Sequence, residues 1–349
     1  IPLVGPWIGQ VWNDLVAPLV KWTGTTVFGV QITVMPNGSG DTTFNYVQVF
    51  LFLVVSLIAA AAWTAVDFRR LNYRLLHGAL RIYVRYTLGL ILISYGMAKI
   101  IKTQFPSPNA YRLTETFGDA SPMGLLWAFM GYSVGYNIFA GLGEAVAGAL
   151  LFYRRTTLLG SVLAIGVMSN VVALNYFYDV PVKLFSTHLL LQALFLMAPE
   201  LGRVMRLLVL NRPVAPSPRL SAFTVPWLHW PWFGVKSMLL GGFLLFGLMG
   251  ALQTYRLYGD GAKPTPLAGL YDIQSFEIDG QERPPLTTDD ERWRDVIITN
   301  IPFMEKQGSF RVRAMSHKTV WYRYSLDESA KALKLTPATQ AAPSPEEPP

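Results

Sequence analysis

Long apolar runs separated by short polar loops fill most of this chain. They lie at about 46–66, 81–102, 134–153, 156–175, 183–198 and 236–255. Each approaches the roughly 18 to 20 residues that cross a hydrocarbon core, so six visible spans are expected. The run SPMGLLWAFMGYS, 121–133, is too short to cross and predicts a re-entrant or interfacial helix. Beyond Arg256 the period changes. GLYDIQSFEI, WRDVIIT, SFRVRAM and TVWYRYS have strand length and are rich in β-branched and aromatic residues. Asp279-Gly280 marks a tight turn between the first run and QERPPL. The pattern predicts a mostly α, integral membrane helical bundle with a small C-terminal β-rich extramembrane domain at about 265–335.

The basic residues orient these spans. Arg69, Arg70, Arg74 and Arg81 crowd the loop after the first span, and Arg154-Arg155 follow the third. The loop 103–122 carries a single basic residue, Arg112. Arginine-rich loops stay in the cytoplasm, which puts residues 1–45 and everything after the last span outside. The expected organisation is a periplasmic interfacial segment (1–45), a transmembrane bundle (46–198), a cytoplasmic membrane-hugging linker (199–235) and a last span (236–256). A periplasmic β-rich domain (257–335) and a disordered tail (336–349) follow. Trp7, Trp12 and Trp22, and later Trp227, Trp230 and Trp232, suit the headgroup region. Asp41 or Thr42 is placed to cap the first span, and Asn37-Gly38-Ser39 matches a glycosylation sequon of low specificity. The chain begins with Ile1, and an outside segment needs something upstream to carry it across; a first transmembrane helix or a cleaved signal peptide is expected.

Composition narrows the chemistry. Of 349 residues, 52% are hydrophobic and 15% charged, too apolar for an ordinary soluble domain. The net charge of +7 belongs to the loops beside the spans and so reads as membrane topology, not nucleic-acid binding. With no cysteine, and with His77, His188, His229 and His317 unpaired at ligand spacing, the chain is expected to hold no metal, haem or iron–sulfur cluster. No nucleophile motif, phosphate loop or dinucleotide fingerprint is present.

Polar residues inside the apolar runs are the candidates for chemistry, because a charge in hydrocarbon costs at least about 2.5 kcal/mol. Arg85, Gly89, Leu92, Gly96 and Lys99 share one face of the second span; Asn137, Gly141, Glu144 and Gly148 share one face of the third. Two glycine-lined stripes, each carrying charge, are expected to face each other or a common cavity. Lys99, Tyr95, His188, Asn170 and Gln192 then form a polar layer in the outer half of the membrane, with Glu144 near mid-depth. Plainer readings stand beside this one. Lys99 can snorkel to the interface, Glu144 can be a structural pair, and His188 can make an interhelical hydrogen bond. Asp179 and Lys183 read as a turn-stabilising pair, Arg85 as a headgroup anchor, and Asp289 to Arg292 as a solvated run.

The motifs GDTTFNYVQ, SYGMAKIIKTQFP, GLGEAVAGALLFYRRTTLLG and NVVALNYFYDVPVKLFSTHLLL resemble the DoxX-like (DoxX/DoxD) membrane family over about residues 80–198. The resemblance implies a core of four antiparallel helices. One branch of that family is a membrane subunit of thiosulfate:quinone oxidoreductase. This chain departs from the pattern in its flanking spans, its outer β domain and its lack of cysteine. The layout also resembles carboxylase-type membrane proteins that use a reduced quinone, although none of their catalytic residues is matched. The reading that follows is a bacterial inner-membrane protein binding a quinone or similar isoprenoid lipid in an outer-leaflet cavity lined by Lys99, Glu144, His188, Tyr95, Asn170 and Gln192, with electrons supplied by a partner. Its partners are membrane lipids and other membrane or periplasmic subunits. The alternative is a non-catalytic accessory subunit of a larger membrane complex. A transporter is disfavoured, since no inverted repeat is visible.

Overall fold

A computed structural model describes residues 12–33, 40–215, 229–263, 267–301, 304–327, 329 and 331–338. The sequon, Trp7, Trp227, the Pro-rich stretch 216–219 and the tail 339–349 lie outside the described residues. Among the described residues, six helices are long and apolar enough to cross a membrane, and a small antiparallel sheet lies near the C-terminus. The chain forms two compact units: residues 1–96 with 142–224, and residues 97–141 with 225–349.

In the first unit, a π turn (Trp12–Val16) leads into α1 (Ala17–Val27), which packs on α2 (Thr43–Val66) through Val20, Ile32, Phe44 and Val47. Thr42 caps α2 in a reciprocal box with Asn45, one of the two caps expected. Asp41 does something else. Its carboxylate accepts from the Lys183 and Leu184 backbone N–H groups at 2.6 and 2.9 Å, so it caps α8 (Lys183–Met197), far along the chain. The expected Asp179–Lys183 pair is present at 2.5 Å.

Helix α3 (Arg74–Ile100) starts earlier than the expected 81, with the exposed Arg74 in its first turn on a long stem that reaches out of an apolar stretch. Arg81 donates to the Leu196 carbonyl at 3.1 Å. With the later part of α6 (Val134–Leu151), α7 (Thr157–Phe177) and α8, it surrounds a core of Leu88, Leu92, Ala147, Leu151, Met168 and Leu189. Helical turns of changing pitch continue from Ala198 to Val209, within the stretch expected as a membrane-hugging linker. Pro199 sits in the first of these, where a proline removes an i to i−4 bond and the coil tightens.

In the second unit, α4 (Ala110–Thr114) and α5 (Pro122–Tyr132) lie in the segment between α3 and α6, and α9 (His229–Tyr258) precedes the sheet. Ser121 caps α5, with Pro122 in its first turn. The five-stranded sheet has the order β1 (Gly269–Asp272), β4 (Trp293–Ile301), β5 (Met304–Ala314), β6 (Thr319–Asp327), β7 (Ala332–Pro337). The run GLYDIQSFEI, expected as one strand, splits into β1 and β2 (Glu277–Ile278). β2 pairs with β3 (Gln281–Glu282) across Asp279-Gly280, both at positive φ as the tight turn requires.

One face of this sheet is apolar, built from Val296, Ile298, Phe310, Val312 and Tyr324. The other carries charge. Asp295 opposes Arg313 in the β4–β5 register and accepts from Arg311 at 3.2 Å and from the Arg313 Nε at 2.7 Å. Both arginines also reach α4: Arg311 donates to the Thr114 hydroxyl at 2.9 Å, and Arg313 to the Thr114 carbonyl at 2.6 Å. Tyr111 stacks against the Arg311 guanidinium and the Trp321 ring. The sheet is thus bolted to the segment before α5, and its stability is shared with it. Arg292, expected in a solvated run, is 5% exposed, and its Nε donates to the Arg283 carbonyl at 2.8 Å.

Candidate functional site

Helices α3 and α6 meet at backbone distance. A Cβ on Gly148 would stand 2.7 Å from the Gly89 carbonyl oxygen, and one on Gly89 would stand 3.1 Å from that of Gly148. Only glycine at both positions allows this crossing. The two helices run antiparallel, since Phe152, one turn beyond Gly148, also falls against Gly89, whereas Gly148 itself reaches Ile93. One turn before Gly148 on α6 stands Glu144, 3% exposed, and its charge acts on the Tyr95 phenol of α3. Tyr95 is 40% exposed, with its ring centroid 6.0 Å from that of Phe185 at the start of α8. An acidic group enclosed by the helices and a phenol open at their flank are therefore neighbours. They can share a proton or grip a polar ligand atom between them.

Gln192 is half-buried on α8, and its side-chain oxygen is enclosed with no hydrogen-bond partner. Two helical turns separate it from Phe185, so it lies about 10 Å along the helix from the Tyr95 level. The single polar layer expected from the sequence is in fact two levels. His188 and Asn170 belong to neither. Both are exposed, and the His188 Nδ1 lies 2.7 Å from the Leu184 carbonyl of its own helix. The buried positions of α8 are Ser186, Leu189, Ala193 and Leu196; at 100° per residue, His188 turns away from that stripe. The same geometry removes Asn170 from the buried stripe of Gly160, Ala164, Met168 and Asn175.

Lys99 belongs to the second unit. It is 6% exposed, with Nζ 6.0 Å from the Phe105 ring centroid, so it does not snorkel. Nearby in sequence, Lys102 takes a left-handed backbone conformation and its Nζ donates to the Ser107 hydroxyl (2.5 Å) and to Asp260 (2.7 Å). Asp260 also accepts from the Ser107 backbone N–H at 2.7 Å. Burial pushes its carboxyl up, but Lys102 and Ser107 outweigh this and hold it below the usual carboxylate range. Lys102, Ser107 and Asp260 form a paired clamp. Asn137, fully buried, donates to the Met130 carbonyl at 2.6 Å, and its own carbonyl oxygen lacks a partner.

Reading the sequence missed the Lys102–Ser107–Asp260 clamp and the Asp295 cluster. The one available signal was the pairing of acidic and basic residues in neighbouring strands, which needs the register to interpret.

The comparisons add a relative but no activity. No family model matches the chain, and no solved structure matches it. The chain is similar to the Uncharacterized protein YwoB of Bacillus subtilis (strain 168), 36% identical over 105 residues, or 30% of this chain. It spans 65% of that protein's length.

Proposed function

We propose that this chain is a multi-pass bacterial inner-membrane protein with a DoxX-like core, its sheet-bearing domain on the periplasmic side, and that it binds the head of a quinone or similar isoprenoid lipid at Tyr95 and Glu144. The observation that carries this reading is the enclosed Glu144 carboxyl beside a phenol open at the flank of the helices. An intramembrane carboxyl near an opening is a functional-site candidate by its cost alone. The residues fit such a head group. Tyr95 offers a hydroxyl donor, Glu144 a proton store, and the unpartnered Gln192 oxygen one further polar contact about 10 Å along α8. When bound, a quinone supplies two-electron chemistry coupled to protons. The protein's share is to orient one carbonyl and to hold or pass a proton at the Glu144 carboxyl.

Protein extracted from native membranes is expected to carry quinone, and an added short-chain ubiquinone to raise its melting temperature. Tyr95→Phe and Glu144→Gln are expected to keep the fold and lose that rise. Absence of both quinone and the rise in the unaltered protein ends the proposal.

A second reading, an accessory subunit, is favoured by the spans of α2 and α9: in neither is any of the most apolar stretch buried within the described residues. Stable co-purification with other subunits after mild solubilisation supports it; a monomeric, quinone-loaded protein counts against it.

A further inference from the structure

Helix α1 does not run along α2 but across it. Phe44, Val47 and Leu51 give α2 the face that packs on α1, and at about 100° per residue Phe50 and Phe52 stand on the two flanks of that face. The two ends of the α1 segment each meet one flank: the Trp12 ring lies 6.5 Å from that of Phe52, and the Phe28 ring 5.0 Å from that of Phe50. The helix is therefore laid transversely over the first two to three turns of α2, about 12 Å of its length.

The surface that α1 turns away from α2 divides into two stripes. Gly24 is covered by the returning chain, since a Cβ there would stand 2.4 Å from the Ile32 side chain, and that chain leads on to Thr42, the cap of α2. The Gly24 side thus looks toward the amino end of α2, and the opposite side looks along the span. Leu19 and Trp22 lie roughly 140–160° around the helix from Gly24, with Leu15 one turn before them. These three are 45%, 60% and 58% exposed. Lys21 and Thr25, also exposed, stand within about 100° of Gly24. The geometry also separates two tryptophans that the sequence assigns alike to the headgroup region: Trp12 is half-buried against Phe44 and Phe52, whereas Trp22 belongs to the exposed apolar stripe.

We infer that Leu15, Leu19 and Trp22 bind the acyl chains of the leaflet that α2 enters, which lays α1 in the plane of the membrane with Lys21 and Thr25 toward water. The occupant follows from continuity. Phe50, Phe52 and Leu53 of α2, beside the footprint of α1, are exposed as well, and none of the most apolar stretch of α2 is buried within the described residues. An apolar stripe that adjoins a spanning surface and has a polar stripe beside it suits a helix seated at a lipid interface. The inference rests on the membrane placement proposed above and is independent of the Tyr95–Glu144 site.

The chain has no cysteine, so single cysteines can be placed and spin-labelled in the full protein without removing any native residue of that type. Leu19→Cys, Trp22→Cys, Lys21→Cys and Thr25→Cys are reconstituted in vesicles of phosphatidylethanolamine and phosphatidylglycerol, and the depth of each label is read from its accessibility to oxygen and to a water-soluble nickel chelate. Labels at 19 and 22 are expected about 5–10 Å below the lipid phosphates, and those at 21 and 25 at or above them. Leu15→Cys takes the place of Trp22→Cys if the latter does not fold. Leu57→Cys, at a 62% exposed position near the middle of α2, is the reference and is expected to be oxygen-rich and shielded from nickel. Nickel access at 19 and 22 with Leu57→Cys shielded overturns the inference and leaves the membrane placement standing. Labels at 19 and 22 shielded from both probes overturn it as well, because protein then covers the stripe; mutual broadening of the labels would identify that protein as a second copy of this chain. Nickel access at position 57 sinks the membrane placement itself, and this inference with it.

Discussion

In the helical unit, Glu144 is 3% exposed on a helix whose neighbouring turns are glycine, alanine and leucine; in the sheet-bearing unit, Asp295 is 1% exposed and grips two guanidiniums at once. Equal burial conceals unequal roles. Asp295 is fixed by strand register, by Arg311 and Arg313, and through them by Thr114 of α4, so its charge belongs to the architecture. Glu144 lies among apolar helices, and its charge acts on a phenol that is open at their flank. Burial alone does not mark a functional acid.

The contrast is easiest to break at Asp295. Asp295→Ala leaves two enclosed guanidiniums facing each other, and a loss of about 3–5 kcal/mol is expected. Chemical denaturation of the full chain, followed by the fluorescence of Trp293 and Trp321, reads it. A loss no larger than that of Glu144→Gln would erase the distinction drawn here. Next comes the helix crossing. Gly148→Ala drives a Cβ to 2.7 Å from the Gly89 carbonyl, and the backbones must part at a cost of about 1–3 kcal/mol. The expected result is a lower melting temperature together with loss of any quinone-induced rise.

Asp41→Ala removes the cap of α8, for which about 1 kcal/mol is typical. The same substitution with Thr42 intact separates this effect from the cap of α2. The smallest effect is a pH dependence. Asp260 titrates below its ordinary 3.8 when folded, so its contribution is present above about pH 3.8 and fades as the pH falls through the lower folded value. Melting curves between pH 5 and 2.5 should converge for the unaltered protein and Asp260→Asn. Parallel curves would show that the Lys102 clamp adds nothing.

Much of the helical unit was legible because apolar runs long enough to cross a bilayer leave few alternatives, and the Gly89 and Gly148 stripes foretold a close crossing. Helix ends were less legible: Arg74 and Arg81 look like loop residues until their long stems are seen to continue the helix. The site was read in part. Three- and four-residue spacing placed Glu144 on the inner stripe, but it could not say whether His188 and Asn170 faced in or out, because each lies between two turns of an apolar helix. The sheet's charged face was hidden. Arg292, Asp295, Arg311 and Arg313 look like ordinary surface residues until strand pairing brings them together.

The Asp41 bond to the Lys183 and Leu184 backbone has a practical bearing on dissecting this protein. A shortened version starting at α2 would contain every residue of α8 and still leave its amino end bare. Any defect of such a version belongs first to a missing carboxylate, and supplying an aspartate or serine at Val182 is the repair to try before assigning the deleted stretch a task of its own.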